Sequence, residues 1–139
     1  MNQLKVVIEK DDTDEIGGSI ESPGHFLLTT VGNSEQEVID NLKALVADFI
    51  AHEGIDYPEW SGVDAYKITY EIEYDLTSFF NVFSELKINR IAKLAGINET
   101  LLRQYASGFK TASADQVAKV QKAVHHLGER LAKVSLIAA

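Results

Sequence analysis

The stretch INRIAKLAGINETLLRQYASG, Ile88 to Gly108, leaves a chain little freedom in how to fold. Ile91, Ala92 and Ala95 fall on one side of a helix, and a residue as small as Ala92 lets a second helix cross closely. Gly96 then supplies the positive φ of a tight interhelical turn, since it has no Cβ to clash there. Ile97 fills the space under the turn, and Asn98 is a favourable N-cap for the next helix. Leu102 and Tyr105 recur three residues apart and face inward, and Gly108 ends the helix. The joint pattern predicts two short helices packed across one turn. Ala-x-x-x-Gly alone would fit any helical hairpin, and a hairpin that binds protein stands as an alternative to one that binds nucleic acid.

The flanks extend this helical region. Phe79, Phe80, Val82, Phe83 and Leu86 predict a preceding helix over Thr77–Lys87. Beyond Gly108, Ser113 and Gln116 have capping-box spacing. Val117, Val120, Val124, Leu127, Leu131 and Val134 then mark an amphipathic helix, with Gly128 as an end or a kink. The apolar tail LAKVSLIAA is a candidate dimer contact, or packs on its own domain.

Charge divides the chain. Residues 1–78 hold four basic residues (Lys5, Lys10, Lys43, Lys67) against 17 acidic ones, a net of −13; residues 79–139 hold nine against four, a net of +5. A basic half can meet phosphates and an acidic half cannot, so the halves are expected to serve different partners. The absence of cysteine excludes disulfides and thiolate metal sites. With no signal peptide evident and no 18-residue apolar run, a cytoplasmic protein outside the membrane is expected.

The acidic half reads as a small α+β layer. LKVVIEK (Leu4–Lys10), EIGGSIE (Glu15–Glu21) and HFLLTTV (His25–Val31) predict three strands of an antiparallel meander, with DDTD as a turn. Gly17-Gly18 marks a bulge or a close backbone approach. Ser34 and Glu37 form a capping box, followed by Val38, Ile39, Leu42, Leu45, Val46, Phe49 and Ile50 at helical spacing, ending near Gly54. AYKITYEIEYDL (Ala65–Leu76) alternates as a fourth strand.

Gly32, Asn33, Ser34, Glu37 and Asn41, at the head of that helix, match the opening stretch of the HicB family of antitoxins, which the acidic half resembles. The resemblance implies a reduced RNase H-like fold for residues 1–76. The family's Pro-x-x-x-Gly-Cys stretch is poorly kept, because Pro23 is followed at once by Gly24 and no cysteine occurs. Residues 77–139 resemble the Cro/repressor-type (XRE) helix-turn-helix domain, with Ala112 where a proline is usual after the second helix. A HicB branch that ends in such a domain implies an antitoxin of a type II toxin-antitoxin system. It would neutralise a HicA-like RNA-cleaving toxin and repress its own operon by binding operator DNA.

In that geometry the recognition helix enters the major groove. Asn98, Glu99, Thr100, Arg103, Gln104 and Ser107 then face the bases, with Arg103 suited to guanine and Gln104 to adenine. Lys87, Arg90, Lys93 and Lys110 are the expected phosphate contacts. So small a reader is expected to act as a homodimer or a higher homo-oligomer.

An orphan regulator without a toxin is the first alternative, and a metal-dependent nuclease using Glu9, Asp12, Glu37 and Asp40 the second. The chain is otherwise expected to be non-catalytic, with no cofactor and no metal. His25, His52, His125 and His126 are too scattered for metal-ligand spacing. Trp60, with Tyr57 and Pro58, is expected to anchor a loop or to serve as a partner hot spot.

Overall fold

The computed structural model describes residues 1–139, which divide into two compact units, Met1–Ser78 and Phe79–Ala139. In the first, β1 (Gln3–Glu9), β2 (Ile16–Ser22) and β3 (Phe26–Gly32) are joined by short links. After them come α1 (Glu35–His52), two 3-10 turns (Gly54–Asp56 and Pro58–Trp60) and β4 (Thr69–Tyr74). The sheet order is β3-β2-β1-β4. β1, β2 and β3 form the expected antiparallel meander, but β4 pairs with β1 in parallel, so the sheet is mixed and not antiparallel throughout. The cause is α1, which carries the chain from the end of β3 back to the start of β1, a return that only a crossover connection makes.

α1 is set by its cap. The Ser34 hydroxyl accepts from Glu37 N at 3.1 Å, and the Glu37 carboxylate accepts from Asn33 N at 3.1 Å, one residue before the usual capping-box partner. Val38, Leu42, Val46 and Phe49 are buried on the helix face that lies over β2 and β3, opposite Leu4, Val6, Ile8, Ile16 and Ile20. Ile39, Leu45 and Ile50, read as part of the same stripe, are only half-buried or exposed. Gly18 is the close approach: a Cβ there would lie 2.3 Å from Val38 Cγ1. The unbroken register from Gly17 to Ser22 shows that no bulge is involved.

The fourth strand is shorter than its alternation predicts. Asp64 Oδ1 accepts from Tyr66 N at 2.9 Å and Asp64 O from Lys67 N at 3.0 Å, which turns residues 64–67 and leaves Tyr66 exposed. At the other end the Asp75 carboxylate accepts from Ser78 N at 2.7 Å and starts α2 (Leu76–Val82), so Leu76 is helical. Lys10 N donates to the buried Ser78 hydroxyl at 3.0 Å, which ties this turn to the end of β1.

Two tyrosines on the covered face of β4 make the unit sensitive to alkali. Burial, then the neighbouring Tyr66 and Asp64, pushes the Tyr70 hydroxyl up to about 12. Burial raises Tyr74 as well, assisted by the hydrogen bond it donates to Glu35 and by that carboxylate's charge. Folding therefore favours the neutral phenols. Their stabilising contribution is complete below the ordinary tyrosine value of about 10 and is lost as pH rises beyond it. Urea midpoints followed by the fluorescence of Trp60, the sole tryptophan, are expected to fall between about pH 10 and 12, and less steeply in Tyr70→Phe with Tyr74→Phe.

The second unit continues from α2 into α3 (Ile88–Ala95), α4 (Glu99–Ser107) and α5 (Ala114–Ala132). α2 ends at Val82, short of the expected Lys87, and Phe79, Phe80 and Phe83 cluster with ring centroids 5.2 and 5.0 Å apart. α3 packs against both α4 and α5. Its core is Ile91, Ala92, Ile97, Leu102, Tyr105, Val120 and Ala123. α5 continues through Gly128 to Ala132, so that glycine does not end it.

Candidate nucleic-acid interface

The junction of α3 and α4 is built almost wholly from backbone requirements. Gly96 sits at φ 71°, ψ 34°, in the left-handed region that favours glycine. Ile97 N donates to Ala92 O at 3.0 Å and Gly96 N to Lys93 O at 3.4 Å, the paired bonds of a Schellman ending. Ile97 is thereby turned into the core. Asn98 Oδ1 accepts from Leu101 N at 3.1 Å and opens α4, and Gly108 at φ 81° closes it. Two helices of eight and nine residues are thus fixed across a three-residue turn.

Leu102 and Tyr105 are buried beneath α4, while Glu99, Thr100, Arg103 and Ser107 are exposed on its other side. Arg103 Nη2 pairs with Glu99 Oε1 at 3.0 Å, one helical turn apart. Glu99, the one acid of this surface, is therefore paired with a cation. Asn98 has committed its carbonyl oxygen to the cap, so its side-chain amide alone is left to make contacts. Gln104 is half-buried, less outward than its sequence position suggests; its carbonyl accepts from the Ser107 hydroxyl at 3.2 Å and from Lys110 N at 3.2 Å.

Lys87, Arg90, Lys93 and Lys110 are all exposed, Lys87 as the residue before α3 and Lys110 just after α4. From Lys87 to Lys110 the chain holds five cations and one acid, the paired Glu99. Comparison of the chain with protein-family models, with curated proteins and with solved structures gives no match. The reading of this surface therefore rests on its own geometry.

Two features carried no decisive sequence signal. Phe109, between Gly108 and Lys110, is 75% exposed, and a lone aromatic after a glycine gives no hint of that. His25 is enclosed by Phe49, Tyr57 and Trp60, with Nε2 2.7 Å from Glu59 and no protein partner for Nδ1. His52 pairs with Asp48, and His125 and His126 are exposed on α5. Trp60 is buried and holds the loop that the sequence assigned to it.

The acids weighed for metal chemistry do not converge. Glu37 is engaged in the helix cap, and Asp40 accepts from Gln36 at 2.8 Å. Glu9 borders an open depression of about 880 Å3 with Asp11, Asp14, Glu15 and Asp75, and no group of three or more carboxylates or histidines is placed to hold a metal ion. Asp11 is held below the usual carboxylate range by its hydrogen bonds from Thr13, which form the turn after β1. No helix is long and apolar enough to cross a membrane.

Proposed function

We propose that the chain is a two-domain, non-catalytic regulator, an antitoxin of the HicB kind. The basic unit binds the operator of its own operon as a helix-turn-helix, and the acidic unit sequesters a small basic RNA-cleaving toxin like HicA. The observation that carries the reading is the α3–α4 junction. A glycine-closed turn and a capped second helix present Thr100, Arg103 and Ser107 along one face, amid cations that can meet phosphates. The acidity of residues 1–78 supports a separate, cationic partner, since complementary potentials set specificity and association rate.

α4 is the recognition helix in this reading and lies in the major groove, with Arg103 directed to guanine and Gln104 to adenine. Lys87, Arg90, Lys93 and Lys110 position the domain on the backbone. Two copies read half-sites about 34 Å apart. Leu131, Val134, Leu136 and Ile137, all exposed at the end of the chain, supply apolar surface for pairing.

The test is binding to the DNA upstream of the chain's own gene across a salt series. Arg103→Ala is expected to cost about 1–3 kcal/mol, roughly 5- to 150-fold in affinity, and to relax specificity at one position. Lys93→Ala is expected to weaken all sequences alike and to reduce the salt slope by about one. A folded protein that binds no DNA at low salt would make the helical unit a protein-binding module and overturn the reading.

A further inference from the structure

The sheet of the first unit is covered on one face only. α1 lies against Leu4, Val6, Ile8 and their neighbours, whereas the alternate residues of every strand face away from it. On that open face Leu27 and Val31 of β3 are 68% and 57% exposed, and Val7 of β1 is 37% exposed. Small Gly17, Ser19 and Thr29 between them leave a shallow depression of about 330 Å3. The charges around it are Glu9, Glu21, Glu71 and Glu73, and the one cation on that face, Lys5, is paired with Glu73 at 3.3 Å.

The two sheet edges differ in a way that bears on what can dock. Edge strands present unpaired backbone groups and are normally blunted by charge, proline or a bulge. β4 (TYEIEY) carries Glu71 and Glu73. β3 (FLLTTVG) has seven residues in continuous register with β2 and carries no charge, no proline and no bulge. Its outer edge is a template for one more strand. A second copy of the unit is a poor occupant for the face as a whole, because each copy brings a net charge of −13.

We propose that the β3 edge and the open sheet face form the docking surface for a basic protein, which adds an extended strand beside β3. Its apolar side chains rest on Leu27 and Val31, and its lysines and arginines meet Glu9 and Glu21. The proposal rests on the reading of the acidic unit as the binder of a basic partner, and it names the place.

The probe is a blocked heptapeptide of sequence VTKTVTK, whose valines and lysines all fall on one face of a strand, added to the full chain, with a glutamate-for-lysine peptide as control. Hydrogen exchange at the amides of Phe26–Gly32 is expected to slow on binding, with β4 unaffected and affinity falling as salt rises. Leu27→Lys with Val31→Lys is expected to weaken binding at least tenfold; both sites are exposed, and unchanged Trp60 fluorescence confirms the fold. Protection that appears on α1 or β4, or equal affinity for both peptides, overturns the surface. So does concentration-dependent protection of β3 without peptide, which gives the edge to a second copy. The place of binding separates the failures: a preference for the lysine peptide with protection elsewhere on residues 1–78 sinks the surface alone, and no preference for the lysine peptide over the glutamate peptide even at low salt sinks the reading beneath it.

Discussion

Trp60→Ala is expected to destabilise the first unit by about 3–5 kcal/mol, which is most of the stability that a unit of this size has. The indole is 1% exposed, and its ring centroid lies 5.3 Å from Phe49 and 5.6 Å from Phe26. It closes the end of the core that α1 leaves open after His52, where the chain turns back toward β4. Truncation removes a large apolar surface and leaves a cavity that Phe49 and Phe26, held by the helix and the sheet, cannot collapse to fill. Nε1 has no protein acceptor, so Trp60→Phe discards no hydrogen bond within the protein and is expected to lose much less. Urea unfolding followed by near-ultraviolet circular dichroism checks both variants. A loss under about 1 kcal/mol in Trp60→Ala would mean that the ring cluster is peripheral to the core.

Gly18→Ala is expected to cost about 1–3 kcal/mol for the addition of one methyl group. The new Cβ would stand 2.3 Å from Val38 Cγ1 and 3.2 Å from Leu42 Cδ1. Both neighbours are fully buried, so α1 must lift from β2 or the side chains must leave their rotamers. The backbone of Gly18 is an ordinary strand conformation, and the effect is therefore steric and not conformational. Val38→Ala alone should also destabilise, through the cavity it opens. Combined, the two changes are expected to cost less than their sum, since each relieves the other. Strict additivity in a double-mutant cycle would mean that the helix and strand do not meet at this point.

The loop chemistry and the core faces were legible because they depend on neighbours in sequence. Ser34 with Glu37 and Ser113 with Gln116 are bonds within a single turn, and the structure holds both. Val38, Leu42, Val46 and Phe49 announce a buried helix face by spacing alone, and Gly96, Ile97 and Asn98 announce the α3–α4 turn by residue type. The candidate interface was legible for the same reason: Thr100, Arg103 and Ser107 face outward because Leu102 and Tyr105 must face inward. Pairings across one helical turn, such as Glu99 with Arg103, were within reach of spacing arguments, but the geometry had to be seen.

Long-range contacts decided the rest. Alternation over Ala65–Leu76 promised a longer strand than exists, since the Asp64 turn and the Asp75 cap override it at either end. That β4 runs parallel to β1 follows from the path of α1 over the sheet, which no local pattern encodes. The enclosure of His25 by three aromatic rings and the open, uncharged edge of β3 exist only once strands from distant positions are assembled. The sequence by itself determined the order of the main strands and helices, their caps and the outward face of α4, which backbone chemistry and periodicity set, and the division of charge, which composition sets. Strand direction, which sheet face is covered and which edge stays free were decided by the tertiary structure, because each depends on where a helix comes to rest.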